Sequence, residues 1–407
     1  MATTSHSDLP SGYLPPPDPP GAIKWLRDNL FKGWLNIMLT IISAAILYFG
    51  VFTFIRWVFI DANWTPVVNF PILYAIGQYP RVEMWRVGLS LALIMFLLGA
   101  SWRHWGDMLR PVVVFVSALF AVIALLPIQH DQLTLGLRGF LIALPILMGL
   151  AYVLAGWKRL TRRVTIILWL LSPVILLVLL RGISGFSLLP EISTTLWGGL
   201  LVTFLLSVGG ILLSFPIGVA MALGRRSSLP VVSAVCTFFI ETIRGVPLIT
   251  LLFMFSVIMA LFLPAEARID RLVRALMAMT IFSAAYTAEN VRGGLQSIPP
   301  GQIEAAKALG MNGLQTMGLI VLPQALRAVI PTIVGQFITL FKDTTLVVIV
   351  SINDLLGIGR SIVNSSPAFL QAQLEVYLFI AAVYWVFSYF MSQASRRLES
   401  MLGVGRR

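Results

Sequence analysis

Apolar residues fall into ten runs along the chain: Leu35–Ile60, Val87–Ser101, Pro111–Leu126, Gly139–Gly156, Val164–Leu180, Leu196–Leu223, Val231–Leu263, Leu272–Val291, Ala325–Ser351 and Val376–Met391. Each predicts a helix able to cross a hydrocarbon layer of about 30 Å, a crossing that takes about 20 residues. The second and third runs are short for this. The seventh and ninth are long enough to include an irregular or interfacial piece. The expected class is an all-α polytopic membrane protein with about ten transmembrane helices. In domain terms, the pattern divides into a polar, proline-rich tail (1–34) expected to be disordered, five spans (35–180), a connecting loop (181–195), five further spans (196–395) and a basic tail (396–407).

One long stretch interrupts the second half. Ser297–Pro323, SIPPGQIEAAKALGMNGLQTMGLIVLP, is moderately polar yet lies between two apolar runs. It reads as two short helices with a break. Ser297 can cap the first, and Pro299 and Pro300 suit a first turn, where a missing N–H costs nothing. Gly310 suits the position just past the helix end, and Asn312 can cap a second helix running towards Pro323. Ala305, Ala306 and Ala308 let another surface approach the backbone closely. Glu304 and Lys307, three residues apart, can pair. An element of this kind between spans is built to dock on something outside the bilayer.

Composition agrees with the class. Of 407 residues, 58% are hydrophobic and 11% charged, and the mean hydropathy is +0.90; soluble domains are about a quarter charged. The net charge of +12 marks membrane-facing cytoplasmic loops and not a nucleic-acid surface. Lys and Arg concentrate in alternate loops, among them Lys24, Arg27 and Lys32; Lys158, Arg159, Arg162 and Arg163; Arg225 and Arg226; and Arg396 and Arg397. That bias predicts both termini, and residues 297–323, on the cytoplasmic side. The opposite loops are thinner in charge and include Arg81, Arg86, Arg138 and Arg181. The N-terminal residues lack the early basic cluster of a signal peptide. Cys236 is the single cysteine, so no intramolecular disulfide forms, and His6, His104 and His130 lack metal-ligand spacing. No G-x-x-x-x-G-K-[ST] occurs, and no nucleophile–base set is evident. The chain is expected to be no enzyme, with no metal and no cofactor of its own.

Several intramembrane features carry candidate roles. Gly210, Ser214, Gly218 and Ala222 recur every four residues, a small-residue ridge for packing within the chain or against a second subunit. Glu241 and Arg244 lie three apart, before Gly245 and Pro247, which loosen a helix; Glu289 and Arg292 repeat the spacing before Gly293-Gly294. Each pair is either a structural ion pair or part of a functional device, a substrate contact for the first and a hinge for the second. Lys342, Asp343 and Thr344 lie within the ninth run. Intramembrane ionisable groups are functional candidates, and a donor and an acceptor of fixed charge suit a zwitterionic solute. The rival reading pairs them with Glu241 or Arg244.

Glu304-Ala305-Ala306, then Gly310, then Ile320-x-Leu322-Pro323 resembles the EAA loop of ABC importer permeases. Glu241-x-x-Arg244-Gly245-x-Pro247, the Ala285–Gly294 segment leading into SIPPGQIEAA, and Lys342-Asp343-Thr344-Thr345 are similar to segments of the polar amino-acid permease family, with Thr345 where serine is common. The five C-terminal spans resemble that family's core. The five extra N-terminal spans resemble the M-type subunit of general L-amino-acid permeases. The resemblance implies a permease subunit for L-amino acids in the bacterial inner membrane, with Glu304, Ala305, Ala306, Lys307 and Gly310 coupling it to an ABC ATPase dimer. It also implies a second permease subunit, expected to be a paralogue, and a periplasmic amino-acid-binding protein, with ATP bound by the ATPases. Uptake of another polar solute, an ion-driven secondary transporter and a membrane enzyme are the competing classes. The last two conflict with the EAA spacing, and no paired repeats of the secondary-transporter kind are found.

Overall fold

A computed structural model describes residues 21–125, 134–157, 160–262, 264 and 269–403. Among them are helices, turns and two isolated bridges, and no strand. The described residues form two compact units that divide at Asn63–Trp64.

The first unit holds α1 (Ala22–Leu30) and α2 (Trp34–Arg56), which runs on as a π-turn to Asp61. The tail expected to be disordered over 1–34 therefore contains a helix; residues 1–20 lie outside the described residues. The reason is local. AIKWLRDNL puts Ile23, Leu26 and Leu30 on one side and Lys24, Arg27 and Asp28 on the other, a short amphipathic pattern masked by the prolines before it. No residue of α2 is buried.

The second unit holds α3 (Met84–Trp105), α4 (Arg110–Leu125), α5 (Leu135–Gly156), α6 (Arg162–Arg181), α7 (Gly199–Arg225), α8 (Pro230–Gly245), α9 (Leu248–Phe253), α10 (Arg271–Gln296), α11 (Pro300–Ala308), α12 (Leu322–Asp343), α13 (Leu355–Val363) and α14 (Gln373–Leu402). Among the described residues each of the ten apolar runs is largely helical. Over the described residues of both units, seven helices are long and apolar enough to cross a membrane, or eight if one bent pair counts as a span. α4, with 16 residues, is shorter, and Arg271, Arg274, Glu289, Asn290 and Arg292 dilute α10.

The bent pair is the seventh run. α8 and the helix from Leu248 to Phe262 meet at 105°. Pro247 supplies the reason: it has no N–H to continue the ladder, and it holds Val246 extended (φ −103°, ψ 131°).

α7 lies along α10, and the small-residue ridge makes the contact. Gly210, Ser214, Gly218 and Ala222 are all buried within the chain. A Cβ on Gly218 would sit 2.6 Å from the Thr287 Cβ, and one on Gly210 would meet Leu340 of α12 at 3.1 Å. The ridge is thus spent on packing inside the chain, not on a seam with a second subunit. Gly218→Val is expected to cost about 1–3 kcal/mol through overpacking, read as a lower unfolding temperature in detergent with Gly293→Ala, which has open space, as the control.

Within the second unit, the segments before residue 196 are tied to one another and, through Tyr74, to those after it. Tyr79 donates its hydroxyl to the Leu180 carbonyl at 2.8 Å. Arg86, placed by its charge in an outer loop, is fully buried near the start of α3: it pairs with Glu83 at 2.8 Å and donates to the Pro190 carbonyl at 2.9 Å. Tyr74 joins a core cluster with Leu355 and Ile358 of α13 and Tyr384 of α14.

Candidate functional site

The 297–323 element is exposed between α10 and α12. Pro299 is the N-cap residue of α11 and Pro300 opens its first turn. Ser297, expected to cap α11, instead closes α10, donating its hydroxyl to the Gly294 carbonyl at 2.8 Å. The far end of α11 is a Schellman turn. The Met311 N–H bonds to the Ala306 carbonyl at 3.1 Å and the Gly310 N–H to the Lys307 carbonyl at 2.9 Å. Gly310 takes the left-handed conformation this turn requires, φ +76°, with nothing within 4 Å of where a Cβ would stand.

Asn312 then caps a single turn, Gly313–Gln315, in a reciprocal capping box with bonds of 2.9 and 3.0 Å. The second helix does not end at Pro323. A π-turn over Thr316–Val321 leads straight into α12, and Pro323, which has no N–H to give, falls where the hydrogen-bond ladder changes from the π-turn to the α-helix.

α11 is two-faced. Ala306 is buried and belongs to a cluster with Leu295, Val321 and Ala325, against which Ile303 packs. Glu304, Ala305, Lys307 and Ala308 are exposed. Beside them Leu309 and Leu314 stand 82% and 87% exposed, a large apolar area on an otherwise polar element. No ion pair joins Glu304 to Lys307 among the described residues, which leaves both charges open.

The two expected charge pairs form one network instead. Glu289 of α10 takes Arg292 on its own helix, Arg244 of α8 at 3.4 Å and Arg225 of α7 at 3.5 Å. Glu241 turns away from Arg244 and pairs with Arg225 at 2.8 Å. Arg244 also lies over the Tyr286 ring, 5.6 Å from its centroid. Three guanidinium groups against two carboxylates lock the ends of α7, α8 and α10 together just before the chain enters α11. Arg225 was read from sequence only as a loop charge; its partners lie 16 and 64 residues away, so no local spacing shows them. α10 passes unbroken through Gly293–Gly294, and Gly294 lets α12 come close: a Cβ there would lie 2.6 Å from the Ala325 carbonyl.

Lys342, Asp343 and Thr344 fall where α12 gives way to a 3₁₀ turn. Lys342 is exposed and Asp343 half-buried, and neither pairs with Glu241 or Arg244, which are engaged elsewhere. Thr344 is fully buried: its hydroxyl donates to the Phe341 carbonyl at 2.8 Å and lies 3.1 Å from the Tyr384 hydroxyl. Tyr384 in turn donates to Asp354 at 3.0 Å, and Asp354 caps α13 by accepting from the Gly357 N–H at 2.9 Å.

Sequence reasoning missed this buried chain, and also Gln336. That side chain accepts from Asn290 at 2.7 Å and donates to the Ser283 carbonyl at 2.6 Å, tying α12 to α10. Single polar residues in apolar runs carry no spacing that marks them. Tyr384→Phe leaves Asp354 one donor short in a buried place, and is expected to cost about 1–3 kcal/mol. The check is the unfolding temperature in detergent against Tyr389→Phe, whose ring stands at the surface.

Among the described residues the chain is helical, with several candidate spans, and exposes an EAA-type helix between α10 and α12; it belongs to the ABC importer permease family, and residues 214–402 match the model described as the binding-protein-dependent transport system inner membrane component. Over 388 residues, 95% of this chain and 94% of the relative, it is 37% identical to the inner membrane amino-acid ABC transporter permease protein YhdY of Escherichia coli (strain K12). It is 34% identical over 433 residues, 94% of each chain, to the glutamate/glutamine/aspartate/asparagine transport system permease protein BztC of Rhodobacter capsulatus. A solved amino acid ABC transporter with histidines is 30% identical, with a TM-score of 0.46 over 50% of this chain and 92% of that one.

Proposed function

We propose that this chain forms one half of an inner-membrane translocation path for L-amino acids, with both termini in the cytoplasm. A second permease, expected to be a paralogue, supplies the other half. Two ATPase subunits dock on α11 and its counterpart, and a periplasmic amino-acid-binding protein delivers the cargo. The observation that carries the reading is α11 itself: a helix held by buried Ala306, with Glu304, Ala305, Lys307 and Leu309 presented outward and its end fixed by the Gly310 turn. Both full-length relatives named above are amino-acid permeases by name, which supports the cargo class.

In this mechanism ATP binding closes the ATPases and displaces α11. Because α11 continues on either side into α10 and α12, the displacement passes to those helices. The Arg225–Glu241–Arg244–Glu289–Arg292 network makes α7, α8 and α10 move as one body. Lys342 and Asp343, the two accessible residues of their segment, are the groups we assign to the path. Their opposite charges match the carboxylate and ammonium of an amino acid.

The test is uptake of a labelled L-amino-acid panel by cells that lack their own amino-acid importers and express this chain with its neighbouring transport genes. ATP-dependent uptake of amino acids supports the reading. Uptake of a different polar solute alone would correct the cargo. Uptake that follows an ion gradient without ATP would overturn the importer assignment.

A further inference from the structure

We propose that α1 is a membrane-surface helix that seats its apolar side in the headgroup layer of anionic phospholipid at the N-terminal end of α2. The helix has nine residues with a sharply divided surface. At 100° per residue, Ile23, Trp25, Leu26 and Leu30 occupy one arc, while Lys24, Arg27 and Asp28 occupy the opposite one. The apolar arc is bare within its own unit: Ile23 is 85% exposed, and Trp25 and Leu26 are also exposed. Such a helix is too short and too charged to enter the hydrocarbon.

Its position is set by covalent continuity. Gly33, at φ +87°, turns the chain between α1 and α2, and the Thr40 hydroxyl of α2 donates to the Leu30 carbonyl at 2.9 Å, holding the end of α1 beside the first turns of the span. α2 is apolar enough to cross a membrane, so α1 starts at the water–lipid boundary. Trp25, Phe31 and Trp34 are large aromatic side chains exposed at that level, where the amphipathic indole rings of tryptophan in particular are favoured. Lys24, Arg27 and Lys32 against Asp28 give the segment a positive excess, which chooses an anionic surface over a neutral one. Between a protein and a lipid occupant, the aromatic belt, the basic arc and the attachment to a span all fit lipid.

The test uses the full-length chain in vesicles of phosphatidylcholine, alone or mixed with phosphatidylglycerol. Cys236→Ser removes the single cysteine, and Ile23→Cys or Asp28→Cys then takes a polarity-sensitive fluorophore. The Ile23 label is expected to shift to the blue and to be quenched by headgroup-region spin-labelled lipid, more strongly with phosphatidylglycerol. The Asp28 label stays in water. Changing Lys24, Arg27 and Lys32 to Gln lowers the docked-to-free ratio about fivefold for each charge removed. Equal exposure of the two labels overturns the proposal. So does indifference to phosphatidylglycerol, or an Ile23 label that is shifted to the blue in vesicles yet is not quenched by the spin-labelled lipid, which would indicate a protein contact. Each labelled protein is first required to elute as a single monodisperse species, which separates misfolding from undocking.

Discussion

Gly310→Asp is expected to abolish ATP-dependent uptake while the chain still inserts and elutes as the parent does. Two effects combine. The position holds φ +76°, where a side chain costs about 1–2 kcal/mol, least for Asp and Asn. No atom lies within 4 Å of the new Cβ, so the spans feel no clash. The second effect is the larger. A carboxylate now stands beside exposed Leu309, on the surface we assign to the ATPase, and a charge desolvated at a protein interface that offers it no partner costs several kcal/mol. Gly310→Asn separates the two, having the same backbone demand without the charge, and is expected to retain a substantial part of the uptake. The measurement is labelled amino-acid uptake together with transport-coupled ATP hydrolysis. Uptake unchanged in the Asp variant would remove α11 from the coupling step.

Glu289→Gln gives the largest loss expected from a single intramembrane change. Its carboxylate meets Arg225, Arg244 and Arg292 and is about one-fifth exposed. The neutral amide leaves three guanidinium groups with Glu241 alone, and Glu241 is 60% exposed at its side chain, so water already screens it. Charge-assisted hydrogen bonds contribute about 1.5–3 kcal/mol each where buried, and the exposed part of this network lowers that figure. A net loss of about 2–3 kcal/mol is therefore expected, with uptake falling at the same time because the network joins α7, α8 and α10 next to α11. Glu241→Gln, at the exposed edge, should cost well under half as much. Unfolding temperature in detergent and uptake, measured on both variants, check the ordering. Equal losses would mean that Glu289 is not the hub.

Caps and turns were legible in consecutive residues, whereas the i,i+3 spacings of Glu241 with Arg244 and of Glu304 with Lys307 did not produce ion pairs among the described residues. The cap at Asn312 and the left-handed turn at Gly310 depend on residues within a few positions of each other. The break of the seventh run at Val246–Pro247 depends on a proline acting on its immediate neighbours. Two local readings failed because a stronger local partner was available. Ser297 found the Gly294 carbonyl behind it instead of the N–H groups ahead. The 22–30 segment had an amphipathic period of its own that the surrounding prolines hid.

The sequence by itself determined that this is a polytopic helical protein, because runs of apolar residues in lipid have only the helix in which to satisfy their backbone groups. It also determined the EAA spacing, which a short helix and its turn carry in consecutive residues. Only the tertiary structure decided which charges meet and which small residues touch. Glu241 chose Arg225 over Arg244, Thr344 turned inward to Tyr384 and Asp354, and the ridge from Gly210 to Ala222 was taken up by α10 and α12. The physical reason is that helix–helix contacts in a membrane are set by close packing and a few hydrogen bonds between segments far apart in the chain. A period of four or a pair at three residues defines one face of one helix, and the partner of that face is fixed only when the helices assemble.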